Sequence, residues 1–479
     1  MNSILKKIRQ SDAFNKENRI PYTKAVLLMS LFTFTFLGAE FLFVDMISHT
    51  VSGSQSVAAQ NYALGISVIG FILYPLFCRF CKGTLQSVIS MGASVLSVIC
   101  FFLICRHSSY VLTLCMGLLL FLILGAFGSA VFYKSLCLLE DNTYIARLVG
   151  ISYMLGILIQ IANSNLVHSA AFETVILSVF TLILAVTLMR AEKNSIVPAF
   201  SKDNSSEDIG KTGKGSLKVA ITLAVFVALL TCIFSTLDNA VTLYHASGAV
   251  NIGQWPRILL ALSGLLAGFL FDIAYRKYMS MIMYCVMILS TTCLVVIEFA
   301  GPFTVGLIIF YLSAGFFAVF FTASFMEIAR YTKMPELWAG LGRAVNNFIA
   351  VAITGGSLAL LHSGNNIAIT TIELLLFVLA SVTAFIYTNM RKDFFEGLDA
   401  KDKNKLSDSE RLQKLSEQFS LTPREAEVFG LLVNTEDSLQ IIADRLYVSR
   451  RTLERYVSAL YEKTGAKSRI GLVSLYNTI

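Results

Sequence analysis

Charge is what this 479-residue chain has least of, and the shortage is regional. Only 14% of its residues are charged and 56% are hydrophobic, against about 25% and 45–50% in ordinary soluble domains. Residues 390–479 hold 29 of the 69 Asp, Glu, Lys and Arg side chains. Segments 1–24 and 191–216 hold 16 more, which leaves 24 charges over about 339 residues. No soluble fold has an interior that hides so much apolar surface. A wholly soluble enzyme, a disordered chain and a disulfide scaffold are excluded. The composition predicts a polytopic membrane protein followed by a small soluble domain. Cysteine is absent after Cys293, and the nine cysteines read as small buried hydrophobes. Cys78-x-x-Cys81 has no second pair and no nearby His, so it reads as structural. There is no nucleotide loop, no metal-ligand spacing and no Ser/His/Asp or Cys/His set, so neither an enzyme nor a cofactor is expected. The five histidines stand near the outer ends of apolar runs and are expected at the interface. The first 24 residues are basic and polar, and the first apolar run is too long for a cleavable signal.

Apolar runs long enough to cross a bilayer lie near 24–48, 57–77, 84–105, 110–136, 143–167, 171–190, 217–246, 254–273, 278–299, 303–329, 338–361 and 367–389. That predicts twelve spans. The N-terminal segment 1–23, the even connections and the helix ends beside them carry twenty-one Lys and Arg, while the odd connections carry only Arg106. Basic residues stay on the cytoplasmic side, so both termini are expected there. The polar stretch 191–216 divides the spans into two sets, 24–190 and 217–389. Phe36-x-x-x-Glu40 answers Phe234-x-x-x-Asp238, Glu140-x6-Arg147 answers Glu336-x6-Arg343, and Arg79 answers Arg276. The three offsets agree within two residues where charges are sparse, which predicts a repeat of six helices plus six.

Gly268-x-x-x-Asp272-x-x-x-Arg276-Lys277, between spans 8 and 9, resembles the loop motif of the major facilitator superfamily. The resemblance implies an all-α, twelve-helix transporter-like bundle around a central cavity, with Asp272 and its bases forming a charge latch. The first-half copy, Tyr74 to Lys82, lacks the Gly and has Cys78 where the acid would stand, which argues against active transport. Ionisable residues inside a bilayer are costly and point to a site. Glu40 and Asp45 in span 1, Asp238 in span 7 and Arg257 in span 8 are the candidate ligand-binding residues for a small molecule of unknown identity. The repeat relates Glu40 to Asp238, and the resemblance places spans 1 and 7 along the cavity. The bland reading of the same residues is helix packing or headgroup contact.

After a linker over 390–419, residues 420–479 read as four helices. Thr422, Pro423 and Glu425 spell a capping box at a helix start. A second helix is expected at about 438–446, and Ser449 opens a third, of about 450–463, with an inner stripe of Leu453, Val457, Leu460 and Thr464. Gly465 ends it, and a short fourth helix starts near Ser468. Two helices joined by a tight turn form a helix-turn-helix. Leu421-Thr-Pro-Arg-Glu425, Ile442-Ala-x-x-Leu446-x-Val448-Ser449, Arg451-Thr-Leu453, Val457, Leu460, Lys463 and Lys467-Ser-Arg469 closely resemble the LuxR-type (GerE-like) DNA-binding domain. The turn at Asn434 to Asp437 is one residue longer than usual and lacks its Gly.

The resemblance implies that Glu454, Arg455 and Ser458 enter the major groove. Arg450 and Arg451 share that outer face. Arg451, Thr452, Lys463, Lys467, Ser468 and Arg469 suit phosphates, which position without specifying. The net charge over 420–479 is only +1, so the motif rather than bulk charge carries the DNA-binding reading. The combination looks like the membrane-embedded LuxR-family regulators of bacteria: a one-component sensor whose partners are a small molecule, the lipid bilayer and promoter DNA, bound as a homodimer. No receiver domain precedes the helix-turn-helix, so the signal is expected through the membrane. The alternatives are a facilitator-type transporter with a regulatory DNA-binding tail, and a ligand-free protein that tethers DNA to the membrane.

Overall fold

The computed structural model describes residues 16–51, 53–81, 83–139, 144–190, 206–246, 255–300, 303–363, 365–404, 408–435 and 437–478. Lys82, Glu140, residues 1–15 and the linker positions 191–205 lie outside these. The chain divides into two units, Met1–Phe394 and Phe395–Ile479. Every described element is a helix.

The membrane unit is formed by α1 (Lys16–Ser48), α2 (Gly53–Phe80), α3 (Thr84–Arg106), α4 (Tyr110–Leu138), α5 (Ile145–Leu166), α6 (Ala170–Arg190), α7 (Ser206–Ala246), α8 (Trp255–Phe271), α9 (Met279–Ala300), α10 (Phe303–Ala329), α11 (Pro335–His362) and α12 (Asn366–Asn404). Among the described residues, ten helices are long and apolar enough to cross a membrane. The apolar stretches Pro256–Phe271 and Met279–Thr292, in α8 and α9, are shorter. The bundle is therefore a multi-pass membrane domain, and each of its helices overlaps one of the expected apolar runs. Residues 206–216 were expected in a linker but belong to α7.

Close helix contacts use small residues, as they must where lipid is as apolar as leucine. A Cβ on Gly70 would fall 2.1 Å from the Leu122 carbonyl, and one on Gly125 would fall 2.1 Å from that of Ser67. These two glycines let α2 and α4 touch backbone to backbone. A Cβ on Gly268 would meet the Ala146 carbonyl at 2.8 Å and Gly150 Cα at 3.0 Å. The motif glycine thus draws α8 onto α5. The same residue identity that looked like a loop signature is a packing device. Phenylalanines fill the wider gaps: Phe36 packs edge-on against Phe121, Phe226 against Phe320 and Phe271 against Phe316. Such pairs are worth about 0.5–1.5 kcal/mol beyond their area.

The second unit holds α13 (Asp408–Gln418), α14 (Pro423–Asn434), α15 (Leu439–Arg445), α16 (Arg450–Thr464) and α17 (Arg469–Thr478). The expected linker spans 390–419. It is helical through Asn404 and again from Asp408. Its Lys, Glu and Leu residues are good helix formers. Leu415 is fully buried among Val428, Phe429 and Leu472 and the rest of the small core, with Leu412 packed beside it. Among the described residues the unit therefore has five helices, the four expected over 420–479 and α13 before them.

Candidate nucleic-acid interface and central cavity

Local sequence fixes the geometry of the second unit. Thr422 Oγ1 accepts from Glu425 N at 3.3 Å, and Thr422 N donates to Glu425 Oε2 at 2.7 Å, completing the capping box. Ser438 and Ser449 cap α15 and α16 in the same manner. The turn between them brings Tyr447 into the left-handed region at φ 54° and leaves its ring fully exposed. Leu453, Val457, Leu460 and Thr464 of α16 face the core. The opposite face presents Arg450, Arg451, Glu454, Arg455 and Ser458, all exposed.

In the membrane unit, four charged side chains from four helices lie within electrostatic range of a common neighbour, Tyr153. Glu40 lies on α1, Asp238 on α7, Arg257 on α8 and Arg343 on α11. Glu40 is in electrostatic range of Arg343 and Arg257, and Asp238 is in range of Glu40 and Arg257. Tyr153 of α5 senses all four. Glu40 Oε1 accepts from Gln60 Nε2 at 2.7 Å. Arg257 donates to Gln160 and lies over the Phe41 ring, 5.1 Å from its centroid. Asp238 is exposed within the bundle and has no hydrogen bond or ion pair among the described residues. Arg343 lies 5.5 Å from the Phe36 centroid and 5.4 Å from that of Phe321. Its Nε is buried without a partner.

At one end of the bundle stands a buried charge network. Asp272 Oδ2 accepts from Arg147 N at 2.7 Å and Oδ1 from Ala146 N at 3.3 Å, so it caps α5. Arg276 Nη1 donates to Asp272 at 3.1 Å and its Nε to Glu327 at 2.8 Å. Arg391 of α12 grips Glu327 from the other side at 2.8 and 3.0 Å. Ala274, Tyr275 and Arg276 are all left-handed, at φ 51°, 55° and 64°. Three such residues in succession cost roughly 1–2 kcal/mol each. The ion pairs hold this turn in place. Apart from these groups, a cavity of about 220 Å³ lies within the first six helices, lined by Tyr74, Phe77, Gln86, Phe127, Lys134 and Met189.

Residues 419–476 match the bacterial regulatory proteins of the luxR family. The second unit carries a LuxR-type DNA-binding domain. No curated protein matches the chain as a relative. Among solved structures, the E. coli fucose:proton symporter, a major facilitator superfamily transporter in the outward conformation, is similar with a TM-score of 0.54 and 13% identity; the match covers 78% of this chain and 99% of that one. The human organic anion transporter TETRAN is similar at 0.50 and 12%, with the same coverage. At these identities the likeness concerns the fold. The chain therefore joins a major-facilitator-like membrane domain to a LuxR-type domain, and that domain implies DNA as a partner.

The LuxR-type domain does not offer all the expected contacts alike. Lys467 and Ser468 are exposed, and Thr452 is half-buried with its Oγ1 2.8 Å from Ser449 Oγ. Arg450 pairs with Glu454 at 3.0 Å along the helix surface. Lys463 instead donates to Glu425 Oε2 at 2.6 Å and to the Ser420 carbonyl at 3.1 Å. Arg469 donates to the carbonyls of Leu432, Thr435 and Asp437. These two cations are engaged within the domain. Arg469 satisfies the carbonyls at the end of α14, which the longer, glycine-free turn leaves open.

In the membrane domain the structure gathers Glu40, Asp238 and Arg257, while Asp45 stands near the end of α1, exposed and 3.9 Å from His49. Arg343 and Glu173 were not among the sequence candidates. Arg343 reads as a base at a span end, yet α11 starts at Pro335, so it lies more than two turns inside. Glu173 is buried and accepts from Asn163 at 3.1 Å. The available signal was polar residues placed inside apolar runs, Gln60, Gln160 and Asn163 among them.

The Lys463 ammonium and the Thr422 N–H hold the Glu425 carboxyl below its ordinary range. A depressed carboxyl contributes stability that is present above its unfolded value, about 4.3, and lost as pH falls through the folded one. The 395–479 fragment should therefore lose stability on acidification below about pH 4. Denaturant midpoints at stepped pH should show a flatter acid limb for Glu425→Gln. Parallel profiles would mean the bond contributes nothing.

Proposed function

We propose that this protein is a membrane-bound one-component transcription regulator. A small molecule binds in the central cavity, and the LuxR-type domain binds promoter DNA as a homodimer. The observation that carries this reading is a transporter-like fold, with Asp238 and Arg343 left without a hydrogen bond or ion pair among the described residues, joined in one chain to a DNA-binding domain. The twelve helices form two sets of six in the inner membrane. The pairing of α5 with α8 and of α2 with α11 supports this, since each pair is what a shift of six helices makes of the other. The 21-to-1 distribution of Lys and Arg supports a cytoplasmic position for both termini.

Rocking of the two sets against each other is the natural two-state element. Asp272 ties α8 to α5 across them. Arg276, Glu327 and Arg391 extend the tie to α12, through which the chain leaves the membrane unit. Ligand in the cavity shifts the equilibrium of this latch and so the pairing of two DNA-binding domains.

On DNA, Arg455 reads a base and Lys467 positions the backbone. Arg455→Ala should cost about 1–3 kcal/mol and relax one base position, whereas Lys467→Ala should weaken all sequences alike. A binding-site selection that returns an unchanged motif for Arg455→Ala refutes the assignment. The function itself is tested by a promoter reporter in cells given a panel of small molecules. Transcription should change with one of them, and Asp238→Asn should remove the response without altering protein levels. Substrate flux in vesicles without any change in transcription would make the protein a transporter instead.

A further inference from the structure

The four cavity charges are not equally provided for. Gln60 bonds Glu40, and Gln160 bonds Arg257. Asp238 and Arg343 have no hydrogen bond and no ion pair among the described residues. A carboxylate and a guanidinium without a hydrogen-bonding or ion-pair partner inside an apolar bundle are each expensive to keep. Their presence is accounted for when an occupant supplies both partners. We infer that the central cavity takes a small zwitterion, its carboxylate held by Arg343 and its ammonium group held by Asp238. This rests on the reading of the cavity as the signal site and names the ligand class for it.

Three features favour a zwitterion over an ion of one sign. Glu40, Asp238, Arg257 and Arg343 sum to zero formal charge, so an occupant with net charge would unbalance a low-dielectric site, whereas a dipolar one would not. Phe36 and Phe321 take up the π-faces near the Arg343 guanidinium, which leaves its planar fork of N–H donors to engage a ligand. That fork matches a carboxylate through two parallel hydrogen bonds. Asp238 offers only acceptors, which suits an ammonium group with three donors. The two residues come from α7 and α11 of the second half, facing Glu40 on α1, so one ligand bridging them is sensed at the meeting of the halves.

The test uses the full-length protein in nanodiscs and reads its thermal midpoint against glycine, 4-aminobutanoate and 6-aminohexanoate. Butanoate, butylamine and 4-aminobutanamide serve as matched compounds lacking one charge. At least one zwitterion should raise the midpoint in a saturable way, at a concentration tenfold or more below any singly charged compound. Arg343→Gln should raise that concentration at least tenfold and abolish the preference for carboxylate over carboxamide. Asp238→Asn should abolish the preference for amine-bearing compounds. Should either variant fail to accumulate, the comparison of 4-aminobutanoate with 4-aminobutanamide on the wild-type protein decides. Equal shifts by zwitterions and single ions, or no shift by any zwitterion, overturn the inference. A zwitterion that binds yet leaves the promoter reporter unmoved upholds the ligand class and sinks the sensing role. A reporter response to a singly charged ligand does the reverse.

Discussion

Glu327→Gln should lower the stability of the membrane domain by about 3–5 kcal/mol, among the largest effects of any single change. Glu327 is buried between two arginines that are themselves buried, Arg276 and Arg391. Removing the acid leaves two uncompensated guanidinium groups, and that asymmetry makes the break costly even where the intact pair contributes little. The neutral amide keeps the shape but cannot balance either cation. The turn at Ala274–Arg276 would also lose the ion pair that holds it in the left-handed region. Thermal unfolding of the full-length protein in detergent measures the loss. Adding Arg391→Met to Glu327→Gln should recover part of it, since one orphaned cation is then gone and the two sites are coupled. If the double variant is the sum of the singles, the network does not act as a unit.

Leu415→Ala should destabilise the DNA-binding unit by about 2–5 kcal/mol, because it opens a cavity in a fully packed core. The residue lies outside the span that matches the luxR family, 419–476, yet it is completely buried. A small domain has only about 5 kcal/mol or so to lose, so the variant should be largely unfolded near 37 °C and retain little DNA. Denaturant unfolding of the 395–479 fragment, wild type against variant, measures this. The same fragment should be clearly more stable than one beginning at residue 419. Equal stability of the two fragments would place α13 outside the domain.

The apolar runs announced the bundle because the bilayer imposes one length and one composition on every span. The helix-turn-helix was legible for a different reason: caps at Thr422 and Ser449 and the stop at Gly465 are local chemistry, and each stands where the sequence puts it. What stayed hidden depended on tertiary partners. Arg343 looked like one of many end-of-span bases until α11 was seen to begin two turns earlier. Lys463 and Arg469 looked like phosphate contacts, and nothing local reveals that Glu425 and three carbonyls already occupy them. The 390–419 segment read as linker because charge density signals solvent, and a solvated helix has the same composition as a coil. Gly268 carried both meanings at once, as a motif residue and as the contact that sets α8 on α5.

The account stands or falls on whether the membrane unit governs DNA binding. The direct measurement is promoter affinity of the full-length protein in nanodiscs, wild type against Asp272→Asn, beside the 395–479 fragment. Asp272→Asn removes the charge that pairs with Arg276 and caps α5, far along the chain from any DNA contact. Coupling of the usual size predicts that promoter affinity of the full-length variant differs from wild type by about 5-fold or more, with the isolated fragment fixing the affinity of an ungoverned domain. Identical affinity for wild type and Asp272→Asn, with a lowered thermal midpoint showing that the latch was in fact broken, would contradict the account.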